Sequence, residues 1–502
     1  MKDVRVPGPL HTSSTINPGF IISSQPDPSG LYSPGSPLRS DNPYPTLRET
    51  LIKDGLFVSG KEDHWRVACR PFALSREEGR FFEQLGQHLL SFYQALNRLY
   101  LDSLKGTQPK WVHEYLDIGK PDDLLALARM NRFKNHLPGV IRPDLIPTNS
   151  GMVLTELDSV PGGIGLTGSL SRMYAQQGNP VWPQSDGLIQ GFAHMLKGVF
   201  HGHPPSVAIV VSDEAEAYRP EMQWVVTQLH QDGWKAYCVH PRDIRFTEEG
   251  LLAHHAGQDH PVSVVYRFFE LFDLKNIPKG ELMIYSAKKG RVVVTPPYKP
   301  WMEEKLALAL FQHPMLDGFW EHSLKPETVE CLRALIPATW ILDPRPLPPS
   351  AVIPGLRHGN RAVSDWRWLG EATQKERRYV LKVSGFSEQA WGGRGVSIGH
   401  DMSQVQWKET VAHALDMFEV SPSILQTFHK GRLVVVEYYD QASGAVISME
   451  GRARLSPYYF VSEGQAELGG VLATICPKDK KIIHGMRDAV MAPCSVMGSA
   501  VS

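Results

Sequence analysis

The chain has 502 residues, 42% hydrophobic and 21% charged, with a formal net charge of −1. Such a balance is ordinary for a globular protein and leaves no strong field to favour nucleic acid or an acidic membrane as a partner. No run reaches the roughly 18 apolar residues of a membrane helix, and no apolar core with a cleavage site stands near the N-terminus, so the expected location is cytoplasmic. The five cysteines (Cys69, Cys238, Cys331, Cys476, Cys494) form no C-x-x-C and no zinc-type spacing, which fits a reducing compartment.

Residues 1–45 are rich in Pro, Gly, Ser and Asn. Such a stretch buries too little apolar surface to offset its ordering entropy, and it reads as an extended arm. The next region, 46–200, begins helical. SREEGRFFEQLGQHLLSFYQALNRLYLDSL, from Ser75, has apolar residues at helical spacing behind a Ser-x-x-Glu capping box. A second helix is predicted over PDDLLALARMNRF, with Pro121 in its first turn. A β-hairpin over 141–158 follows, and then a Gly-rich turn leading into a helix.

Region 201–300 predicts a small open α/β domain. SVAIVVSD is a buried strand, PEMQWVVTQLHQDG a helix stopped at Gly233, and WKAYCVHP the next strand. Its first loop lacks G-x-G-x-x-G, which argues against a dinucleotide there. Region 301–502 opens with WMEEKLALALFQHPMLDGFWE, which predicts an amphipathic helix. Beyond about 345 come RYVLKVS, ILQTFH, RLVVVEYYD, AVISMEGRARLSPYYFV and GVLATICP, strands broken by one helix, SQVQWKETVAHALDMF. The expected class is a mixed α/β (α+β) fold with an antiparallel sheet in its last region.

Two stretches carry chemistry. In IRPDLIPTNSGMVLTELD, the turn signal Thr148-Asn149-Ser150-Gly151 joins two strands. With the turn centred on Ser150, Arg142 falls opposite Asp158 and Asp144 opposite Glu156, all on one face. Opposed carboxylates repel, and a divalent cation such as Mg²⁺ between them would remove that cost. The competing reading is an exposed hairpin of solvated charges. In RYVLKVSGFSEQAWGGRGVSIG, Lys382 ends a strand, and a loop carrying Gly392, Gly393, Arg394 and Gly395 precedes the next. Glycines let backbone N–H groups approach phosphate oxygens, and the Arg adds charge. A plain structural turn is the alternative. Gln426-Thr427-Phe428 offers backbone groups to an adenine. Arg452 and Arg454 alternate onto one strand face, either solvated or holding an anion.

Taken together, Lys382 with WGGRG, the ILQTFH strand pair and the E-x-D hairpin resemble an ATP-grasp ligase. The carboxylates precede the lysine strands here. That order resembles the circularly permuted ATP-grasp proteins related to the synthetase domain of glutathionylspermidine synthase. Their R-x-D and E-x-N motifs are matched by Arg142-Pro143-Asp144 and Glu156-Leu157-Asp158, with Asp158 where the family has Asn. The resemblance implies an open pre-ATP-grasp-like domain beside an antiparallel ATP-binding domain. It implies Lys305, in an amphipathic helix, and Lys382 as ATP lysines, and Gln426 in the adenine hinge. It places Mg²⁺ on Asp144, Glu156 and Asp158, and Arg142 with Arg452 or Arg454 on the transferred phosphoryl group.

The implied activity is ADP-forming carboxylate–amine ligation through an acyl phosphate. The expected substrates are small amino-acid, peptide or polyamine-like carboxylates and amines, with ATP and Mg²⁺ as cofactors. A phosphotransferase and a catalytically silent nucleotide-binding scaffold are the alternatives. Arg267, Glu270 and Asp273 read as acceptor contacts or as a structural ion pair, with the ion pair favoured. His484-Gly485-Met486 reads as structural rather than site-lining.

Overall fold

The first element among the described residues is helix α1 (Tyr44–Lys53), followed by strands β1 (Arg66–Val67) and β2 (Phe72–Leu74) and helices α2 (Arg76–Leu104), α3 (Trp111–Asp117) and α4 (Asp122–Ala128). Next come strands β3 (Val140–Thr148) and β4 (Gly151–Asp158), helices α5 (Ile164–Gln176) and α6 (Gly187–Val199), strand β5 (Ser206–Val211), helix α7 (Arg219–Gln231) and strand β6 (Lys235–Val239). Strands β7 (Ile244–Phe246), β8 (Leu251–His255), β9 (Gln258–Val262) and β10 (Val264–Phe268), helix α8 (Gly280–Lys289) and strand β11 (Val293–Thr295) follow. Then come helices α9 (Leu306–Phe311), α10 (Asp317–Ser323) and α11 (Pro326–Leu335), and strands β12 (Thr339–Ile341), β13 (Arg357–His358), β14 (Arg361–Ala362), β15 (Tyr379–Val383) and β16 (Val396–Ile398). Helix α12 (Gln404–Asp416) precedes strands β17 (Ser423–Thr427), β18 (Leu433–Asp440), β19 (Ala445–Ser462), β20 (Gln465–Pro477) and β21 (Val490–Val496).

This computed structural model describes residues 44–59, 61, 65–158, 160–200, 205–390, 393–485 and 487–498. All but the last two positions of the expected arm, together with Trp391, Gly392 and Met486, lie outside the described residues.

The fold is a mixed α/β arrangement whose sheets are mostly antiparallel. The largest sheet has eight strands, ordered β1-β21-β20-β19-β3-β4, with β18 added on β19 and β2 on β21. The hairpin β3–β4 is therefore hydrogen-bonded to strands some 300 residues later in the chain, with Leu145 opposite Leu455. A second sheet, β11-β10-β5-β6, is wholly parallel. Its β5–α7–β6 unit is the one predicted, and α7 stops before Gly233, whose φ is +81°. A third sheet, β12-β17-β15-β16, is antiparallel.

Helix α2 begins as its sequence demands. Ser75 accepts from the Glu78 N–H, and the Glu78 carboxylate accepts from the Ser75 N–H. Its apolar face (Phe82, Leu85, Leu89, Phe92, Leu96, Leu99) is fully buried in a core shared with Leu145, Leu154, Leu455 and Ile475 of the large sheet. A second core lies between the large sheet and the parallel sheet, with α5, α6 and α7 contributing.

Two helical expectations are corrected. The predicted helix from Pro121 ends at Ala128, with Pro121 as its cap and a separate 3₁₀ turn over Asn131–Phe133. The long amphipathic helix expected from Trp301 is broken into pieces: a 3₁₀ turn (Pro300–Met302), α9, a second 3₁₀ turn (Pro314–Leu316) and α10. Pro314 cannot continue a helix. All six residues of α9 are buried, so LALALF is an all-round buried turn and not a surface stripe.

Glu221 of α7 joins the parallel-sheet layer to α5. It is buried and accepts from the N–H groups of Gly163 (2.9 Å) and Leu166 (3.3 Å) at the start of that helix. Burial pushes its carboxyl up to about 7, against the pull of those N–H groups and of Arg142. A folded-state pKa above the unfolded value stabilises most below the unfolded value, and that contribution is lost as pH rises through the folded one. Stability should fall by a few kcal/mol between about pH 4.5 and pH 7. In Glu221→Gln that part of the slope should vanish. Urea midpoints of both proteins across this range measure it; an unchanged slope in the variant would discount Glu221.

Candidate functional site

The hairpin achieves its pairing by a route the sequence does not show. Thr148 pairs with Gly151, so the turn is the two-residue Asn149-Ser150 and is not centred on Ser150. From that turn alone the far ends would be out of step by one residue. A β-bulge beside Asp144 and Leu145 leaves Thr155 as the extra residue and restores Asp144 opposite Glu156 and Arg142 opposite Asp158. The Thr155 hydroxyl donates to the Asp144 carbonyl at 2.9 Å, and its carbonyl accepts from Lys382 Nζ at 2.6 Å.

Strand β19 supplies the facing groups. Arg452, Arg454 and Ser456 alternate along one face, and the pairing of Leu455 with Leu145 sets Arg454 and Ser456 beside Asp144. Asp144 is 4% exposed. Its Oδ1 accepts from Ser456 Oγ at 2.9 Å and lies 3.3 Å from Arg142 Nε, while its Oδ2 lies 3.0 Å from an Arg454 terminal nitrogen. Burial alone would raise this carboxyl; Arg142, Arg454 and Ser456 overcome it and hold it below the ordinary value. Asp158 pairs with Arg142 at 2.9 Å and accepts from the Val160 N–H at 2.9 Å. Burial, with Glu156 and Asp144 nearby, pushes its carboxyl up against the pull of Arg142. Glu156 pairs with Lys305 at 2.7 Å.

The acidic trio is thus not arranged as expected for Mg²⁺. Among the described residues no group of three or more His, Cys, Asp or Glu side chains is placed to hold a metal ion. The repulsion between Asp144 and Glu156, which seemed to ask for a divalent cation, is relieved by Arg142, Arg454 and Lys305 instead. The carboxylate oxygens are hard donors of the type Mg²⁺ prefers, yet a dication here would sit against guanidinium and ammonium groups already on those oxygens. The residues as arranged do not fit the ion.

Both lysines reach the same place from outside the large sheet, Lys382 from the third sheet and Lys305 from the start of α9. Lys382 of β15 is buried; its Nζ donates to Gln426 Oε1 at 2.8 Å as well as to Thr155. Lys305 precedes α9 and also donates to the Ala390 carbonyl at 2.9 Å. What fixes these two relative to each other is Glu304, which sequence reasoning missed. Ser384, two residues after Lys382, donates to the Glu304 carboxylate and accepts from the Leu306 N–H at 3.0 Å. The other Glu304 oxygen meets Lys120 at 2.5 Å in a fully buried ion pair. Neighbouring Glu303 is held by buried Arg267, so Arg267 is in an ion pair, but with Glu303 and not with Glu270 or Asp273; Glu270 borders the same cavity as Lys305 and Lys382.

The Gly-rich loop reaches the cavity through one of its described residues. Gly393 has φ +74° and lines the cavity. Gly395 is needed for packing within the loop, since a Cβ there would lie 2.6 Å from the Gln389 carbonyl. Arg394 pairs at 3.0 Å with Glu214, which borders the cavity, while Arg394 itself is not among the cavity-lining residues. The adenine-hinge expectation also changes: the N–H groups of Thr427 and Phe428 are already given to Ala338 and Arg378, so Gln426 enters the site through its side chain.

These groups line one cavity of about 770 Å³. Arg142, Asp144, Glu156, Asp158, Lys305, Lys382, Arg452 and Arg454 all border it. Arg454 is the one against Asp144. Arg452 instead donates to the carbonyls of Gly431 (3.0 Å) and Lys478, tying two loops together. Val380, Ile398, Phe428 and Ile482 give part of the wall apolar character. His484 and Gly485, read as structural from sequence, line it too, while Asp273 accepts from Asn276.

No family model matches the chain, and no curated protein matches it. The fold has a solved counterpart. A glutathione synthetase-like effector from Globodera pallida, in its apo form, superposes with a TM-score of 0.56 at 12% identity, over 91% of this chain and 98% of that one. A candidate gamma-glutamylcysteine synthetase from Methylobacillus flagellatus, also 12% identical, covers 84% of this chain and 91% of its own, but its TM-score of 0.39 carries no weight. The likeness to the effector is one of fold.

Two measurements follow. Lys120→Met should cost about 3–5 kcal/mol by stranding Glu304, and Lys120→Met/Glu304→Gln should recover part of it; equal denaturation midpoints for wild type and the single variant would remove Glu304 from its joint role. Burial, reinforced by Lys305 and opposed by Glu156 and Asp144, pushes Lys382 down to about 8. Its charge is full below that value and lost above it. An NMR titration of the lysine Nζ groups should show one lysine losing its proton near pH 8, roughly two units below the ordinary value, and Lys382→Arg should remove that step; its persistence in the variant would discount Lys382.

Proposed function

We propose that the protein is an ATP-dependent, ADP-forming carboxylate–amine ligase of permuted ATP-grasp type, acting on small amino-acid, peptide or polyamine-like substrates. One observation supports this above the others: four cations from four separate stretches of chain, Arg142, Lys305, Lys382 and Arg454, meet around the acidic hairpin in a single cavity bordered by a glycine-bearing loop. The name of the structural neighbour, a glutathione synthetase-like effector, is in line with a ligase that makes small peptides.

In this reading Lys305 and Lys382 hold the phosphate oxygens of ATP, and the apolar wall of Val380, Ile398 and Phe428 takes the base. The substrate carboxylate attacks the γ-phosphorus, ADP leaves, and an acyl phosphate forms. The amine then attacks the acyl carbon and phosphate departs. Charge develops on the phosphoryl oxygens in the first step and on the carbonyl oxygen in the second. Arg142 and Arg454 stand where fixed, bidentate donors would stabilise both. Their orientation is set by Asp144 before any ligand arrives, so little reorganisation is needed during reaction.

Incubation with ATP, Mg²⁺ and pools of amino acids or polyamines tests the proposal. Release of ADP should depend on an added amine, and Lys382→Met should lower it by about 10²–10³-fold, the usual loss for removing one preorganised electrostatic contact. Phosphate appearing on a hydroxyl would identify a kinase instead, and ATP binding without turnover a silent scaffold.

A further inference from the structure

We infer that the cavity binds a polyphosphate anion without a divalent ion, the acidic trio acting as internal counter-ions that hold four cations in place for it. The inference deepens the nucleotide reading above and rests on it. Its basis is a count of charges and donors. Within the hairpin cluster Arg142, Lys305, Lys382 and Arg454 carry four positive charges against three negative charges on Asp144, Glu156 and Asp158, a surplus of one; over the whole cavity wall, with Glu214, Glu270, Glu303 and Asp479 included, nine Lys and Arg stand against seven Asp and Glu, a surplus of two. The surplus in donors is larger. Each guanidinium offers five N–H groups and each ammonium three. Nε of Arg142 and Nε of Arg454 are buried and make no hydrogen bond. Arg142 Nε lies near Asp144 Oδ1 at 3.3 Å but off the line of a hydrogen bond.

The carboxylates have less to spare. Both oxygens of Asp144 and both of Asp158 are engaged. Lys305 already occupies one oxygen of Glu156. An incoming phosphate chain brings only acceptors and negative charge, which is what the cluster lacks. An incoming dication brings neither, and it meets guanidinium groups about 3 Å from the oxygens it would need. The carboxylates still have work to do. Four cations left unpaired in one cavity would repel one another and splay, and the trio prevents this until an anion takes over part of that role.

The two readings of the trio predict opposite signs, which makes the test sharp. Calorimetric titration of the full chain would use ATP and inorganic tripolyphosphate, each in EDTA and in millimolar Mg²⁺. The expected result is ATP binding in EDTA within about threefold of that in Mg²⁺. Glu156→Gln, which frees Lys305, should tighten binding in EDTA by roughly threefold or more, as expected for one added net charge in a partly screened site. Asp158→Asn, which relieves Arg142, should move it the same way and serves if the first variant folds poorly. Binding of either anion only when Mg²⁺ is present would overturn the inference and leave the nucleotide reading intact. Weaker Mg²⁺-ATP binding in both variants, with no change in EDTA, would overturn it too, because that is how metal ligands behave. Tripolyphosphate binding in EDTA without ATP binding would keep the inference and discard the nucleotide. No binding of either anion under any condition would discard both.

Discussion

The buried carboxylate of Asp144 is the constraint on which the rest of the site depends. It accepts from Ser456, lies between Arg142 and Arg454, and is almost entirely removed from water. An unpaired carboxylate there would be costly to bury, and its partners would be equally costly left alone. The cluster is therefore stable only as a set, and forming it pins the β3–β4 hairpin to β19. That seam carries the hairpin into the large sheet. It also turns one face of the hairpin towards the cavity, so one interaction both closes the sheet and shapes the cavity wall.

A second joint brings Lys305 and the β15–β16 strands to the seam. Glu304 holds Lys120 on one side and Ser384 on the other. Lys305 is therefore tied to the start of the loop that follows Lys382. Lys382 then reaches across to the carbonyl of Thr155, the bulged residue of the hairpin. A backbone carbonyl can be aimed this way because the bulge takes Thr155 out of the regular ladder. Three groups of elements, the helical region, the hairpin seam and the β15–β17 sheet, are thus joined through polar contacts that each need a partner from another group. Charge balance follows from the same contacts: the hairpin's acids are neutralised by its own Arg142 and by Lys305 and Arg454 from elsewhere in the chain.

Much of this was legible in advance, and for identifiable reasons. The capping box at Ser75 and Glu78 and the β5–α7–β6 unit are local patterns with local causes. The facing of Arg142 with Asp158 and of Asp144 with Glu156 was also expected, but for a reason only half right: the turn is one step off, and the bulge at Thr155 compensates. Ser456 could have been found by continuing the alternation from Arg452 and Arg454 along the same strand. Glu304 could not, because beside Lys305 it looks like any surface glutamate. The amphipathic helix expected at Trp301 failed because period alone does not tell a surface stripe from a short turn buried on all sides.

By itself, then, the sequence determined which residues would carry charge, which strands would alternate, and that an R-x-D and E-x-D hairpin would present four charged groups on one face. Alternation and capping are properties of neighbouring residues, so they survive without a fold. The tertiary structure alone decided what those charges would meet. Whether opposed carboxylates receive a metal ion or an arginine depends on which distant strand lies beside them. Here the long strand β19 delivered Arg454 and Ser456 to Asp144, and the buried turn after Glu304 delivered Lys305 to Glu156. Those pairings are set by sheet order and burial, which join residues hundreds of positions apart and leave no local trace in the chain.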